Sequence, residues 1–466
     1  MRAAVLVADG VSARNFLLGD LGSHLHRHGP WTAIHGLPAS FVEAEVRPED
    51  RPDEQLPLGT YTEAALPMLL RYTLLYGQME FSDTTSMRHN LARPVTGSAR
   101  HRALHRTARL AGRLTAGPRR LAAVDRAHAG LVARRPEVAA HRAALAAAAP
   151  DVLFCTHQRP PSVVPPVLAA RSLGIPTATF VFSWDNLSSK GRIAVPFDHY
   201  LVWSGHMADD LRRFYPEIPD EAIHVVGTPQ FDPYADESRA WSRAELCDRL
   251  GLDPGRPICC FSGGDPGNSP EDPDHVAVLC GLVRAGEVPR DLQVVVRPAP
   301  VDDGTRYDRV RAEFPELCWV PAEWHRPPGG DWSEALPSRA DVDLLANLTR
   351  HCDVNVNLAS TMTLDFGLHD RPVVNLAFDV ADPPPFGLPI WEHYYRFDHY
   401  RPVVELGAAR FARSPAELAE HLRAYLADPS LDREGRAALA ELEVGVPVGR
   451  SAASIADALA AIAGGG

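Results

Sequence analysis

Short apolar runs recur along the 466-residue chain, each closed by turn residues and followed by a stretch with helical spacing. Residues 3–8 (AAVLVA) end in Asp9-Gly10. An unbroken apolar run of this length, bounded by a turn, suits a strand buried on both faces of a sheet. A helical stretch follows over 13–28, so the chain opens with strand, tight turn and helix, the first unit of a parallel α/β sheet. Residues 33–35 and 41–46 then read as short strands, and 51–57 as a proline-rich loop. From 62 to 148 the pattern is helical and rich in Ala and Arg, with Leu and Val at amphipathic spacing.

The alternation of strand and helix resumes after this excursion. Val152–Cys155 predicts a strand, 162–173 a helix, 177–182 and 200–203 strands, and 206–214 a helix. Residues 222–226 lead into Gly227-Thr228-Pro229, and the polar stretch 232–257, with a helix over 242–250, marks a domain junction. A second series follows: strand 257–261, loop 262–273, helix 276–285, strand Gln293–Arg297, helix 342–349, strand Val354–Asn357, helix 361–368 and strand 372–376. Helices over 416–427 and 451–463 and a flexible Gly tail complete the chain. The pattern predicts two doubly wound parallel-sheet domains, residues 1–230 and 231–440, with 441–466 as a C-terminal helix and tail. Ligands of such sheets bind outside the carboxyl ends of the strands, here in a cleft between the domains.

Composition narrows the function classes. Forty-seven basic residues against fifty-nine acidic ones leave a net charge of −12, which argues against a broad nucleic-acid surface but leaves room for a local basic pocket. The seven cysteines show no C-x-x-C spacing and no Cys/His cluster, so neither a disulfide framework nor a structural zinc site is expected. Residues 3–8 are too short for a signal-peptide core, and no segment approaches the ~18 apolar residues of a membrane span. The expectation is a soluble, cytoplasmic protein. Forty-six of the basic residues are arginine and one, Lys190, is lysine. GC-rich coding accounts for the bias. The survivor is either an accident or a place where a compact ammonium works and a planar guanidinium does not.

The densest chemistry lies in residues 353–376, DVNVNLASTMTLDFGLHDRPVVNL. A strand ends at Asn357, and Ser360, Thr361 and Thr363 fall at the start of the next helix, where free N–H groups and hydroxyls suit a phosphate. Asp365 lies one turn on, placed to accept hydrogen bonds from a ribose. The alternative is an ordinary capped helix with Asp365 complementing its dipole. Residues 261–267, FSGGDPG, form a Gly-rich turn in which Gly263 and Gly264 permit close approach of a phosphate or base.

The run 353–376 resembles the donor-binding turn of GT-B glycosyltransferases, particularly cytoplasmic surface-polysaccharide enzymes. That broad group also includes CDP-glycerol glycerophosphotransferases and UDP-N-acetylglucosamine 2-epimerases. The resemblance implies that Ser360 and Thr361 hold a diphosphate and Asp365 the ribose. The epimerases typically carry Glu pairs at that position, whereas here Asp365 is followed by Phe366. Residues 225–232, VVGTPQFD, resemble the Gly-x-Pro-x-x-Asp junction beside the nucleotide, which brings in Gly227 and Thr228. Residues 293–300, QVVVRPAP, resemble a strand ending in Arg/Lys-Pro-His-Pro, with Ala299 in place of the histidine. Arg297 remains, either as a bidentate diphosphate partner or as a salt bridge at a strand end.

Residues 182–191, FSWDNLSSKG, resemble a segment of surface-carbohydrate GT-B proteins and follow a strand of the first domain, which places them on the cleft opposite the nucleotide. Asp185 is a candidate general base toward an acceptor hydroxyl, and Lys190 a candidate to neutralise diphosphate or an acidic acceptor. The alternative is a structural turn anchored by Trp184 and Asn186. His157, after the strand Val152–Cys155, is a second candidate base, and residues 9–15 (DGVSARN) fit the acceptor side with Asn15 as a contact. Residues 393–401, HYYRFDHYR, read either as a sugar-binding loop or as a packed interdomain loop. No histidine set has the partners for a metal, and Asp341-x-Asp343 reads as a helix start.

Together these features imply a GT-B-like α/β enzyme that moves a sugar from a nucleotide donor, UDP by preference, to an acceptor hydroxyl in polysaccharide or natural-product synthesis. Neither metal nor cofactor is expected beyond the nucleotide-sugar co-substrate, and no nucleic-acid partner. The rivals are glycerophosphate transfer from CDP-glycerol, epimerisation or hydrolysis of a nucleotide sugar, and a catalytically silent binding protein of such a pathway.

Overall fold

A computed structural model of the chain describes residues 1–326 and 334–465. They divide into two compact units, one formed by Met1–Asp232 with Glu443–Gly466, the other by Pro233–Leu442.

The first unit is built on seven strands: β1 (Ala3–Val7), β2 (Trp31–His35), β3 (Glu54–Pro57), β4 (Val152–Cys155), β5 (Thr177–Phe180), β6 (His199–Val202) and β7 (Ile223–Val225). Their order is β3-β2-β1-β4-β5-β6-β7, and every neighbouring pair is parallel. The central strands β1, β2, β4 and β5 are buried along their whole length, which is why they read as apolar runs rather than alternating ones. Phe16, at the end of the helix Gly10–Phe16, meets Phe154 and Phe180 edge-on at 5.6 and 5.2 Å and ties that helix to the sheet. The 62–148 excursion folds into the helices Ala65–Ser82, Thr85–Ala92, Ala99–Thr115, Pro118–Val132 and Pro136–Ala148.

The second unit carries β8 (Ile258–Ser262), β9 (Gln293–Arg297), β10 (Cys318–Trp319), the antiparallel pair β11 (Trp324–His325) and β12 (Leu336–Pro337), β13 (Val354–Asn357), β14 (Val373–Leu376) and β15 (Arg410–Ala412). Its main sheet is parallel in the order β10-β9-β8-β13-β14-β15. Both units are therefore doubly wound α/β sheets, the architecture that the hydrophobic pattern predicts.

Three local expectations are corrected. The stretch 13–28 is two helices, Gly10–Phe16 and Leu21–His28, because Leu17 and Leu18 both donate back to the Ala13 carbonyl and the chain turns at Gly19-Asp20. Residues 41–46 belong to the helix Ala39–Glu45 and its end, where Phe41, Val42 and Val46 are buried and Glu43 and Ala44 exposed. The spacing of Val42 to Val46 is one helical turn. The loop 51–57 contains β3, an edge strand that tolerates Pro57 because its outer side needs no ladder.

The C-terminal helix Ser451–Gly464 packs in the first unit against Leu21–His28, where His28 Nε2 lies 2.9 Å from Asp457 Oδ1. Gly466, the last residue of the expected tail, lies outside the described residues.

Candidate functional site

In the first sheet the strand order reverses between β1 and β4: β1 runs on to β2 on one side, β4 to β5 on the other. A crevice opens outside the carboxyl ends at such a switch point. Asp9 lies two residues beyond β1 and His157 two residues beyond β4. Although 148 residues apart in sequence, they meet there, with His157 Nδ1 2.7 Å from Asp9 Oδ2.

Asp9 is fixed from both sides. It caps the helix Gly10–Phe16, its Oδ1 accepting from the Ser12 N–H at 2.8 Å. Burial penalises its charge, but the hydrogen bond and charge of His157 and the bond from Ser12 outweigh that, and the carboxyl sits below the usual aspartate value. A carboxylate facing Nδ1 places the proton on that nitrogen and the lone pair on Nε2. His157 Nε2 is buried without a hydrogen-bond partner, and its ring stacks on Phe182 at 4.1 Å. Asn15, one turn into the capped helix, is buried with its Oδ1 also unpaired. Buried polar atoms normally pair with protein or ordered water, so each of these two has an open position for a partner.

The Asp185–Lys190 segment has a different character. Its carboxylate accepts from Ser189 Oγ at 2.6 Å and Asn186 Nδ2 at 3.0 Å, and Lys190 Nζ lies 3.4 Å away. Gln158 braces the segment, accepting from the Phe182 N–H and donating to Asn186 Oδ1. Thr84 and Ser86 donate to the Ser188 carbonyl, and Asn90 to that of Ser189. The segment is thus a built turn whose acid and lysine pair with each other.

Sequence reasoning overlooks Arg159, one arginine among forty-six. It is exposed, makes no hydrogen bond or ion pair among the described residues, and stands two residues beyond His157. The protein packed around its guanidinium lowers its pKa from the ordinary arginine value, and the charges of Asp185, Tyr215 and Asp9 act in the opposite direction. Its backbone is held on both sides, by Ala194 N–H to the Gln158 carbonyl and Val163 N–H to the Pro160 carbonyl. The signal that reveals it is position rather than residue type.

Gly227 and Thr228 lie at the end of the same unit. Gly227 has φ +78°, and a Cβ there would fall 2.1 Å from Val446 Cγ2, so the turn requires glycine. Thr228 is fully buried, its hydroxyl unpaired. The carboxylate of Asp232, which ends the same motif, accepts from the N–H groups of Gly449, Ser451 and Ala452 at 2.8–3.3 Å. In this structure the motif docks the start of the C-terminal helix.

In the second sheet the order reverses between β8 and β13. Buried asparagines at alternate positions of β13 shape the turn that follows. Asn355 bonds Ser262 Oγ, Asn357 bonds Asn355, and Asn357 Oδ1 accepts from the Ser360 N–H at 3.0 Å. Ser360 Oγ accepts from the Met362 N–H, and Ser360 and Thr361 are half-buried at the start of the seven-residue helix Met362–Leu368. Thr363 is fully buried, 2.8 Å from the Tyr400 hydroxyl. Asp365 is buried, with Tyr234 donating to its Oδ1. Arg297 is only 5% exposed; its Nη2 binds Asp341 Oδ1 at 2.6 Å and its Nη1 the Pro321 carbonyl. It takes the salt-bridge alternative. The N–H groups of Gly263 and Gly264 already donate to the Arg297 carbonyl and Asp272 Oδ2, and a Cβ would lie 2.6 Å from the Tyr307 hydroxyl or 2.3 Å from Ser269 Oγ. Within residues 393–401, His393 is buried and stacks on Phe386 at 4.6 Å, a packed aromatic cluster with Tyr394 and Phe397.

Among the described residues no group of three or more His, Cys, Asp or Glu side chains is placed to hold a metal ion, and no helix is long and apolar enough to cross a membrane. No family model matches the chain, and no curated protein matches its sequence significantly. Solved structures do match its fold. UDP-GlcNAc 2-epimerase from Neisseria meningitidis, bound to UDP-GlcNAc, aligns over 98% of this chain and 99% of its own with a TM-score of 0.54 at 9% identity. The UDP-GlcNAc 2-epimerase of Methanocaldococcus jannaschii gives 0.53 over the same shares at 11% identity. A glycosyltransferase from Rickettsia africae ESF-5 gives 0.51 over 99% of this chain and 98% of its own at 10% identity. The chain has the two-domain α/β fold of the GT-B kind.

Proposed function

We propose that this chain transfers a glycosyl group from a nucleotide sugar, a UDP-sugar by preference, to an acceptor hydroxyl. The observation that carries the reading is the Asp9–His157 pair at the first switch point, with Nε2 buried and unpaired. An imidazole so oriented is built to take a proton: Nε2 accepts it from the acceptor hydroxyl as that oxygen attacks the anomeric carbon, and Asp9 stabilises the imidazolium. The sugar–phosphate bond breaks in the same step, and the nucleoside diphosphate leaves with the electron pair.

Of the two candidate bases, His157 therefore takes the role, and Asp185 positions the wall beside it. Arg159 is the cation available to an acidic group on the acceptor. In the second unit Ser360 and Thr361 supply hydroxyls and the turn for the diphosphate, and the ribose reaches Asp365 by replacing the Tyr234 hydroxyl. Arg297 positions Asp341 and its neighbours.

The test is a panel of nucleotides scored by thermal shift, followed by mass spectrometry of products from the best donor with mixed acceptors. A glycosylated acceptor supports the reading. An epimerised donor, free sugar without acceptor product, or released CMP from CDP-glycerol points to another reaction of the same fold.

A further inference from the structure

The helical excursion carries a charge opposite to that of the rest of the chain. Residues 62–148 contain fourteen arginines and five acids, within a protein of net charge −12. Several of these arginines surround two adjoining cavities on the side of the first unit. The outer cavity, about 820 Å³, lies at Gly117–Arg120, Ala122, Arg126 and Pro216. The inner one, about 260 Å³, shares Ala122, Arg126 and Glu217 with it and is walled by Tyr200, Tyr215 and Ile218.

The two acids of this space share one guanidinium. Arg192 Nε binds Asp125 Oδ2 at 2.7 Å, and its Nη2 binds Glu217. Arg119 and Arg126, by contrast, make no hydrogen bond or ion pair among the described residues, and Arg120 only reaches the Ala116 carbonyl. Arg171 stands at the inner cavity but is partly occupied, its Nη1 donating to the Pro196 carbonyl at 3.3 Å and its Nε 4.0 Å from Asp198. Proline, alanine, isoleucine and tyrosine rings supply the floor. A cavity of drug-ligand size with apolar walls and unanswered guanidinium groups selects a ligand with an apolar body and an anionic head. Several arginines around one mouth favour a dianion over a carboxylate, since each planar fork takes two oxygens.

We propose that these cavities form a binding site for a phosphate monoester with an apolar body, separate from the Asp9–His157 site. The assignment does not rest on the transfer reading. The inner wall, Arg192 and Ile193, continues the segment that carries Asp185 and Lys190.

The experiment is calorimetric titration of the full chain with octyl phosphate below its micelle concentration, beside inorganic phosphate and phosphatidic acid vesicles. Octyl phosphate is expected to bind at least about tenfold more tightly than inorganic phosphate, the apolar body adding to the head. The exposed double variant Arg119→Gln/Arg126→Gln should weaken octyl phosphate by about tenfold or more with an unchanged melting profile. Ala122→Leu should remove the advantage over inorganic phosphate by filling the floor. Vesicle binding lost in the same double variant would identify a lipid as the source of the phosphate, and no vesicle binding a soluble ester. Octyl phosphate binding no tighter than inorganic phosphate, or unchanged in the double variant, would overturn the proposal.

Discussion

The two switch points have the same topology and differ in how their charged side chains are paired. At the edge between β1 and β4, His157 Nε2 and Asn15 Oδ1 are buried without hydrogen-bond partners among the described residues, and Arg159 makes no ion pair among them. At the edge between β8 and β13, the corresponding charged groups are answered from within: Arg297 by Asp341, and Asp365 by Tyr234. A doubly wound sheet brings chemistry to the ends of its central strands in either case. What differs is how far the charged side chains there are paired with one another. The first edge presents the Asp9–His157 pair with an imidazole nitrogen that has no hydrogen-bond partner among the described residues. The second offers a turn of hydroxyls and backbone on a rigid polar scaffold of Asn355, Asn357 and Tyr400.

The largest effect that would break this contrast is at Arg297. Replacing it by alanine leaves Asp341 buried with its main charge partner gone, which should cost about 3–5 kcal/mol of stability in urea unfolding. A variant that stays as stable as wild type and loses nucleotide affinity would return Arg297 to the ligand. Tyr234→Phe is next. It deprives Asp365 of a donor and should cost about 1–2 kcal/mol. If a ribose takes the hydroxyl's place, nucleotide should raise the melting temperature of this variant more than that of wild type, whereas a 2′,3′-dideoxy nucleotide should not. The smallest effect sharpens the open edge through pH. The Asp9 carboxyl is held below its ordinary value of 3.8, so its charge stabilises the fold above that pH and the contribution fades as pH falls through the folded pKa. Asp9→Asn should therefore be less stable than wild type at pH 7, by about 1 kcal/mol, and the gap should narrow in paired thermal melts as pH falls below 3.8.

Much of the fold is legible in the sequence because the parallel strands are apolar runs with turn residues at their ends. Val152–Cys155, Gln293–Arg297 and Val354–Asn357 are read to the residue. The helix Ala39–Glu45 is not, since its seven residues fit a strand alternation as readily as a helical face. The site is legible only as a set of loops. His157 and Asp9 each stand out after a strand, but their contact depends on β1 and β4 being neighbours, which pairing across 148 residues decides. Arg297 reads as a ligand for phosphate because Asp341, 44 residues on, is invisible as its partner. Lys190 stands out by rarity, yet the structure gives it Asp185; Arg159, hidden by the abundance of its type, stands beside the Asp9–His157 pair with no ion pair among the described residues.

The most direct test of the account is single-turnover transfer by wild type, His157→Gln and Asp185→Asn, measured beside nucleotide affinity and the folded fraction of each. The account predicts that His157→Gln slows transfer by about 10²–10⁴-fold with nucleotide affinity unchanged. Asp185→Asn, corrected for folded fraction, should stay within about tenfold of wild type, because its carboxylate braces a turn and takes no proton. Wild-type transfer by His157→Gln, with the large loss falling on Asp185→Asn, would contradict it.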